Sequence, residues 1–333
     1  MKKRVYIQTR FPTGITNDYF LRDYTPSFKL SMALGDEGFW YSKGHEIQLD
    51  AFCPSHTFYK KTWADIPFVS EMDTAHYTLR RDRVNKEGLE VLICYHNEAT
   101  LSKAIVICLG GPIVPIPNLF ESNSIYQFFL QQNYALIVPL RRGVSGIYSE
   151  WELALEGHYG DYDIQDTLSA TYYILQHYPQ IIDTEKLFLY GASYGGYVAM
   201  LIAGKANDNH LFKAIVAHCG VYDLGEYPYH SSGIASDTMR TYGGTTDTKE
   251  YLKTIKEISP KTYVRNWDVP VFLIHHLNDT SSWFGQSVMA YNDALQANKQ
   301  VRLMLVPGPH SYNIALRNQL FIKIASYFKY SLL

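Results

Sequence analysis

From residue 104 to the end of the chain, apolar runs of strand length alternate with longer segments of helical period. Residues 104–109 (AIVICL), 135–140 (ALIVPL), 187–190 (LFLY), 214–218 (AIVAH), 270–275 (PVFLIH) and 301–306 (VRLMLV) are largely apolar at successive positions, so both faces of each strand must be covered. Helices are predicted over 122–132, 161–177, 194–204, 285–296 and 314–330. Within 161–177, Ile164, Leu168, Tyr172 and Leu175 fall at i, i+4, i+8 and i+11 and mark the expected buried stripe. Residues 194–204 are almost wholly apolar, which predicts a helix buried all round. Strand–helix repeats of this kind give an α/β fold, a mostly parallel central sheet with helices on both faces.

The flanks read differently. Residues 75–83 and 89–96 look like strands around the turn residues Asn85-Lys86-Glu87-Gly88. Residues 1–75 are broken by Pro12, Pro26, Pro54 and Pro67 and show no clean period, so they are expected to form a short N-terminal extension or cap on a main domain spanning 76–333. Between 220 and 263 the alternation fails again. That stretch, rich in Tyr, Gly, Ser and Thr, is expected to cross one end of the sheet.

Composition narrows the function classes. The 333 residues carry 30 Lys+Arg against 32 Asp+Glu, so nothing draws the chain toward nucleic acid or an anionic membrane, and neither is an expected partner. Met1-Lys2-Lys3-Arg4 is followed by polar, broken sequence rather than an apolar core, so no secretory signal is expected. The four cysteines, Cys53, Cys94, Cys108 and Cys219, have no metal-like spacing, and three sit in or beside apolar runs; buried reduced thiols and a cytoplasmic setting are expected.

The sharpest local signal is Gly191-Ala192-Ser193-Tyr194-Gly195, a G-x-S-x-G pentapeptide between an apolar strand and an apolar helix. A nucleophile elbow needs that context: a tight strand-to-helix turn that lifts a serine hydroxyl above the sheet at the positive end of a helix. A serine nucleophile needs a base, and the base an orienting acid, both expected on loops after later strands with the acid first. Strand 270–275 runs into His276-Leu277-Asn278-Asp279, and strand 301–306 into Pro307-Gly308-Pro309-His310. Ser193, Asp279 and His310 are therefore the expected catalytic triad, in the chain order of the α/β-hydrolase fold. Expected oxyanion donors are the N–H of Tyr194 and, from the Leu109-Gly110-Gly111-Pro112 loop, the N–H of Gly111.

Each of these residues has a plainer reading: Asp279 as a helix cap, His310 as a solvated loop histidine, Gly-Gly-Pro as a turn. Their joint placement favours the triad. His275 and His276 raise a metal reading, but no H-E-x-x-H and no carboxylate pair at helical spacing accompanies them, so no metal and no cofactor is expected. Tyr222, Tyr242 and Trp283 are the expected walls of an aromatic acyl pocket, with plain packing as the competing reading for each.

These residues resemble the prolyl oligopeptidase family of serine peptidases, over about 104 to 312. The resemblance is carried by Gly110-Gly111-Pro112, Arg142-Gly143-Val144-Ser145-Gly146, Gly160-Asp161 with Asp166, Ser193-Tyr194-Gly195-Gly196-Tyr197, Ile274-His275 with Asp279, Gln286-Ser287 and His310. It implies an α/β-hydrolase domain acting through an acyl-enzyme on small peptides or peptide-derived amides, with Asp161 and Asp166 bracing their helix. Three departures bear on substrate. Relatives often carry Tyr or His where Leu109 stands, donating to the oxyanion. The family's I-H-G-x-x-D has His276 in place of glycine, and Ser281 stands where relatives often place Arg or Asn. The family's β-propeller, which usually restricts substrates to short peptides, is not expected within the roughly 75 residues before the hydrolase segment, too few for two blades, and small relatives without one often associate, so a homo-oligomer is among the expected states. A peptidase, a carboxylesterase or thioesterase on small acyl esters, and a non-catalytic ligand-binding relative remain open, with the complete triad counting against the last.

Overall fold

The computed structural model describes residues 73–121, 124–207, 210–231, 249–310 and 314–332, together with four strands within the first 72 residues. The strands are β1 (Val5–Arg10), β2 (Thr16–Leu21), β3 (Gly38–Lys43), β4 (Glu46–Ala51), β5 (Tyr77–Arg83), β6 (Glu90–His96), β7 (Ser102–Cys108), β8 (Val114–Pro115), β9 (Ala135–Leu140), β10 (Val144–Ser145), β11 (Ile182–Ala192), β12 (Ala214–His218), β13 (Val271–His276) and β14 (Val301–Val306). The α-helices are α1 (Ile125–Gln131), α2 (Ser149–Leu153), α3 (Tyr162–His177), α4 (Tyr194–Lys205), α5 (Tyr227–His230), α6 (Lys249–Ile258), α7 (Gly285–Gln296) and α8 (Ile314–Tyr330).

Ten strands form one sheet in the order β4-β3-β14-β13-β12-β11-β7-β9-β6-β5. The six from β14 to β9 are parallel. The outer strands pair antiparallel at both edges, with β3 joining β14 through the pairs Tyr41↔Met304 and Trp40↔Leu305. The expected mostly parallel sheet with helices on both faces is what the chain forms.

Alternation along the parallel strands splits the apolar side chains between two cores. Val106, Leu189, Ile215, Leu273 and Leu303 face the layer that holds α3, α4 and α7. Ile105, Phe188, Val216, Ile274 and Met304 face α1 and α8, where Phe128, Phe129, Phe321 and Phe328 pack together. Each fully buried side chain of this size contributes roughly 1.5–3 kcal/mol relative to exposure.

Two expectations change. The buried face of α3 is not the predicted stripe: Tyr172 is exposed, and Asp163, Asp166, Thr167, Ala170, Thr171 and Ile174 are buried alongside Ile164. The polar members of that face are accommodated because each has a partner. Thr167 and Thr171 donate their hydroxyls to carbonyls one turn back, and the two carboxylates bond to residues of other elements. In the 220–263 stretch, the described residues include α6, whose Tyr251 and Ile255 face the core at i and i+4, followed by a 3₁₀ turn at Pro260–Asn266. Lys and Glu crowd α6 and dilute its apolar signal in the sequence.

Candidate active site

The pentapeptide forms the expected elbow. Ser193 has φ 58° and ψ −123°, a left-handed conformation costly for a residue with a side chain, and its N–H is held by the His218 carbonyl at 2.8 Å. The flanking glycines are required by close approach. A Cβ on Gly191 would sit 2.0 Å from the Gly195 carbonyl oxygen, and one on Gly195 would sit 2.0 Å from that of Cys108. The turn therefore presses β11, α4 and β7 together and stands Ser193 at the first turn of α4, where the helix dipole favours a developing anion.

The structure brings the three expected triad residues together. Ser193 Oγ lies 2.9 Å from His310 Nε2, and His310 Nδ1 lies 2.6 Å from Asp279 Oδ2. Asp279 is buried. Its other oxygen, Oδ1, accepts from the N–H groups of Ser281 and Ser282, and His275 Nε2 lies 3.4 Å from Oδ2. Burial alone would raise this carboxyl, but hydrogen bonds and charge from His275 and His310 outweigh it and hold Asp279 well below the usual carboxylate range. An ionised Asp279 only accepts, so His310 carries its proton on Nδ1 and presents the Nε2 lone pair to the serine hydroxyl.

The oxyanion side is organised by a residue that the sequence pattern did not single out. Arg141 follows β9 and is only 1% exposed. Its guanidinium donates to the carbonyls of Gly110 (2.8 Å), Leu109 (3.3 Å), Pro112 (3.0 Å) and Arg142 (2.8 Å). The Gly110 carbonyl and the Gly111 N–H belong to one trans peptide and point in opposite directions. Arg141 therefore turns the Gly111 N–H away from itself, while Gly110 lies against Ala192 and Ser193. Next to it, Arg142 and Asp166 form a two-pronged ion pair (2.9 and 2.7 Å), and Asp166 also accepts the Arg142 N–H, so Asp166 braces as expected. The Asp161 carboxylate, by contrast, accepts from the exposed Gln165 side chain, one turn along, and makes no side-chain cap of α3. The carboxylate beneath the elbow is Asp163, fully buried, which accepts the Tyr194 hydroxyl at 2.5 Å. Burial pushes its carboxyl up, against the pull of Tyr194 and the nearby Arg141 charge.

The expected acyl-pocket residues fare differently. Tyr222 is fully buried, its ring is edge-on to Trp267, and its hydroxyl donates to Asp293, so its side chain is a packing element rather than a pocket wall. Trp283 lies on the Asp279 loop, 3% exposed, with the His230 ring over it and Gly285 beneath. Tyr242 lies outside the described residues.

A cluster of buried histidines underlies the site. Two groups bring side-chain ligand atoms within 4.8 Å of one another, His218–Cys219–His276 and Cys219–His275–Asp279. These atoms are already bonded among themselves or to neighbours. His218 and His276 share an Nε2···Nε2 hydrogen bond of 3.0 Å, and His275 meets Ser287 Oγ at 2.7 Å and the Ser282 carbonyl at 2.6 Å. The Cys219 thiol is pushed well up by burial and by Asp279. No helix among the described residues is long and apolar enough to cross a membrane.

Comparison with known proteins follows the geometry. The chain is 26% identical over 219 residues to dipeptidyl-peptidase 5 of Porphyromonas gingivalis, covering 65% of this chain and 31% of that one. It is 21% identical over 254 residues to acylamino-acid-releasing enzyme 2 of rice, covering 74% and 32%. It thus spans about a third of the length of these relatives. Among solved structures, the acylaminoacyl peptidase of Pyrococcus horikoshii superposes with a TM-score of 0.67 at 23% identity, covering 76% of this chain and 41% of that one. A Mycobacterium tuberculosis puromycin-hydrolyzing peptidase superposes at 0.69 with 16% identity, covering 86% and 42%; both likenesses show the fold. Residues 120–328, well over half of the chain and including Ser193, Asp279 and His310, match the prolyl oligopeptidase family, to which this chain therefore belongs.

Proposed function

We propose that the protein is a serine peptidase that hydrolyses short peptides, or amides derived from them, through an acyl-enzyme on Ser193. The carrying observation is the continuous Ser193–His310–Asp279 hydrogen-bond chain on a strained elbow. Ser193 Oγ bonds to the substrate carbonyl carbon as its proton passes to His310 Nε2, and the carbonyl electron pair moves onto oxygen. That oxyanion is received by the N–H groups of Gly111 and Tyr194. On collapse the C–N bond breaks, and the leaving amine takes the proton from Nε2. Water then attacks the acyl carbon, giving a proton to Nε2, and Ser193 Oγ leaves and recovers it. Asp279 stays ionised throughout and stabilises the imidazolium. Trp283 on the acid loop, with the His230 ring of α5 packed over it, is the aromatic pair this reading sets against an apolar acyl side chain. A cytoplasmic setting is supported by buried free thiols at Cys94, Cys108 and Cys219.

Ser193→Ala is expected to abolish both fluorophosphonate labelling and the hydrolysis of aminoacyl amides, with the circular-dichroism spectrum unchanged. Undiminished activity in that variant overturns the proposal. A panel pairing aminoacyl amides with acyl esters then separates a peptidase from an esterase, which Leu109 would favour by removing a side-chain oxyanion donor.

A further inference from the structure

We propose that His276 is a positioning residue for the base: its Nδ1–H holds the Pro309 carbonyl, and with it the loop that carries His310, while His218 and Tyr190 fix the tautomer that allows this. The proposal rests on the reading of Ser193, Asp279 and His310 as the triad.

Three hydrogen bonds run across the C-terminal ends of adjacent strands. Tyr190 at the end of β11 contacts His218 Nδ1 at 3.0 Å, His218 on β12 contacts His276 Nε2 through its own Nε2 at 3.0 Å, and His276 on β13 contacts the Pro309 carbonyl through Nδ1. The direction of each bond follows from the last. A carbonyl only accepts, so His276 carries its proton on Nδ1. Burial holds both imidazoles below their ordinary range, and hence neutral at pH 7. His276 Nε2 is then a lone pair, so His218 must donate from its Nε2. Its Nδ1 is in turn a lone pair, so the Tyr190 hydroxyl must donate to it. The Pro309 carbonyl thus sets the tautomers of both rings, and the Tyr190 hydroxyl, as donor, supports that arrangement from the far end.

The placement gives this chain of bonds its consequence. Proline has no N–H, so the carbonyl is the one backbone group of Pro309 that can be held. Among the described residues, the other ties between this loop and the acid loop end at Gly308, apart from the His310–Asp279 bond of the triad itself: Leu277 N–H to Val306, Asn278 N–H to the Gly308 carbonyl, and Gly308 N–H to Asn278 Oδ1. His276 makes the tie next to His310. The same elements hold the nucleophile, since Ser193 follows Tyr190 by three residues and donates its N–H to the His218 carbonyl. Serine and base are therefore referenced to one rigid row. A glycine at 276 offers no side chain to make this tie.

The test is the rate of inactivation by a fluorophosphonate, which engages the triad whatever the natural substrate, resolved into kinact and KI for variants of the full chain. The two side-chain amides separate the two ends of the ring. Asn places a donor where Nδ1 stood, Gln places one where Nε2 stood, and Leu fills the space without either. His276→Leu is expected to lower kinact between about 10-fold and 100-fold, the scale of a small displacement of a catalytic group, with KI little changed. His276→Asn should recover most of the loss, and His276→Gln should not. Wild-type kinact in folded His276→Leu, or Gln restoring the rate as well as Asn, overturns the proposal. If His276→Leu does not fold, Tyr190→Phe removes one hydroxyl, and kinact should drop about fivefold, the ratio supported by one ordinary hydrogen bond. An unchanged rate there overturns the proposal equally. Loss of labelling in Ser193→Ala alongside a flat His276 series would sink this inference alone, whereas persistent labelling in Ser193→Ala would sink the triad reading beneath it.

Discussion

The two sides of the reaction centre are braced by the same device built from different chemistry. On the oxyanion side, a guanidinium grips four backbone carbonyls, and on the base side, an imidazole grips one. Arg141 presents only donors, in a fixed planar fork, and cannot change its donor pattern. His276 is neutral, can carry its proton on either nitrogen, and depends on His218 and Tyr190 to carry it on the useful one. A rigid ionic brace therefore serves the fixed donors, and a titratable neutral brace serves the loop whose residue must itself accept and release a proton.

The comparison can be broken at its strongest point first. Asp279→Asn keeps the shape of the acid but removes the charge that sets the His310 tautomer. A loss of about 10⁴-fold in kcat for a peptide amide is expected, as for other triads with this change. A loss of tenfold or less would mean that His275 and the histidine row hold His310 without the acid. On the opposite side, Arg141→Met releases the Gly110 carbonyl and lets the Gly111 N–H turn. A drop of roughly 10²–10³-fold in kcat, the worth of one oxyanion donor, is expected, with KM little changed. Arg141→Lys should recover only part, because an ammonium cannot fork across several carbonyls. Affinity for a peptide aldehyde should weaken in parallel with kcat. A variant that loses stability but keeps both kcat and aldehyde affinity would reduce Arg141 to a packing role.

How much of this was legible in the sequence depends on what had to be read. The parallel strands and α7 and α8 announce themselves because both faces of every central strand are apolar, and the triad because its members sit at loop ends in a fixed chain order. The braces were illegible for the opposite reason. Arg141 and Asp163 are polar residues that a hydrophobic pattern assigns to the surface, and His218 closes an apolar strand with nothing to mark its role; each is buried by a partner far along the chain. Asp163 meets Tyr194 31 positions away, and His218 meets His276 58 positions away. The stripe on α3 failed likewise: it was drawn from apolar residues, while the helix buries two carboxylates that other elements satisfy. In the sequence His276 stands out as a bulky replacement for glycine and as half of a His-His pair that raises a metal reading; nothing there reveals that Pro309 lies in reach.

The smallest expected effect follows from the pH behaviour of the two braces. His218 and His276 are held below the range of an exposed histidine by burial first and by neighbouring histidines second, with Asp279 pulling the other way; His276 is shifted less, its bond to the Pro309 carbonyl favouring the proton. The unfolded chain takes up protons below about pH 6.5, while the folded chain resists them, so fewer protons are bound when folded. The stability is therefore fully present above that pH and is lost as pH falls toward the folded values, by up to about 1.4 kcal/mol per pH unit for each histidine held neutral. Urea midpoints measured at pH 7 and pH 5 should fall on this account in the wild type. In His276→Asn one of the two titrating groups is gone, so the part of the slope assigned to the pair should fall by about half. Arg141→Met should shift both midpoints together and leave the slope as it was, because it leaves both histidines of the row in place. Equal slopes in wild type and His276→Asn would mean that the row admits protons without strain, and the contrast between a fixed brace and a titratable one would then lie only in the number of carbonyls each holds.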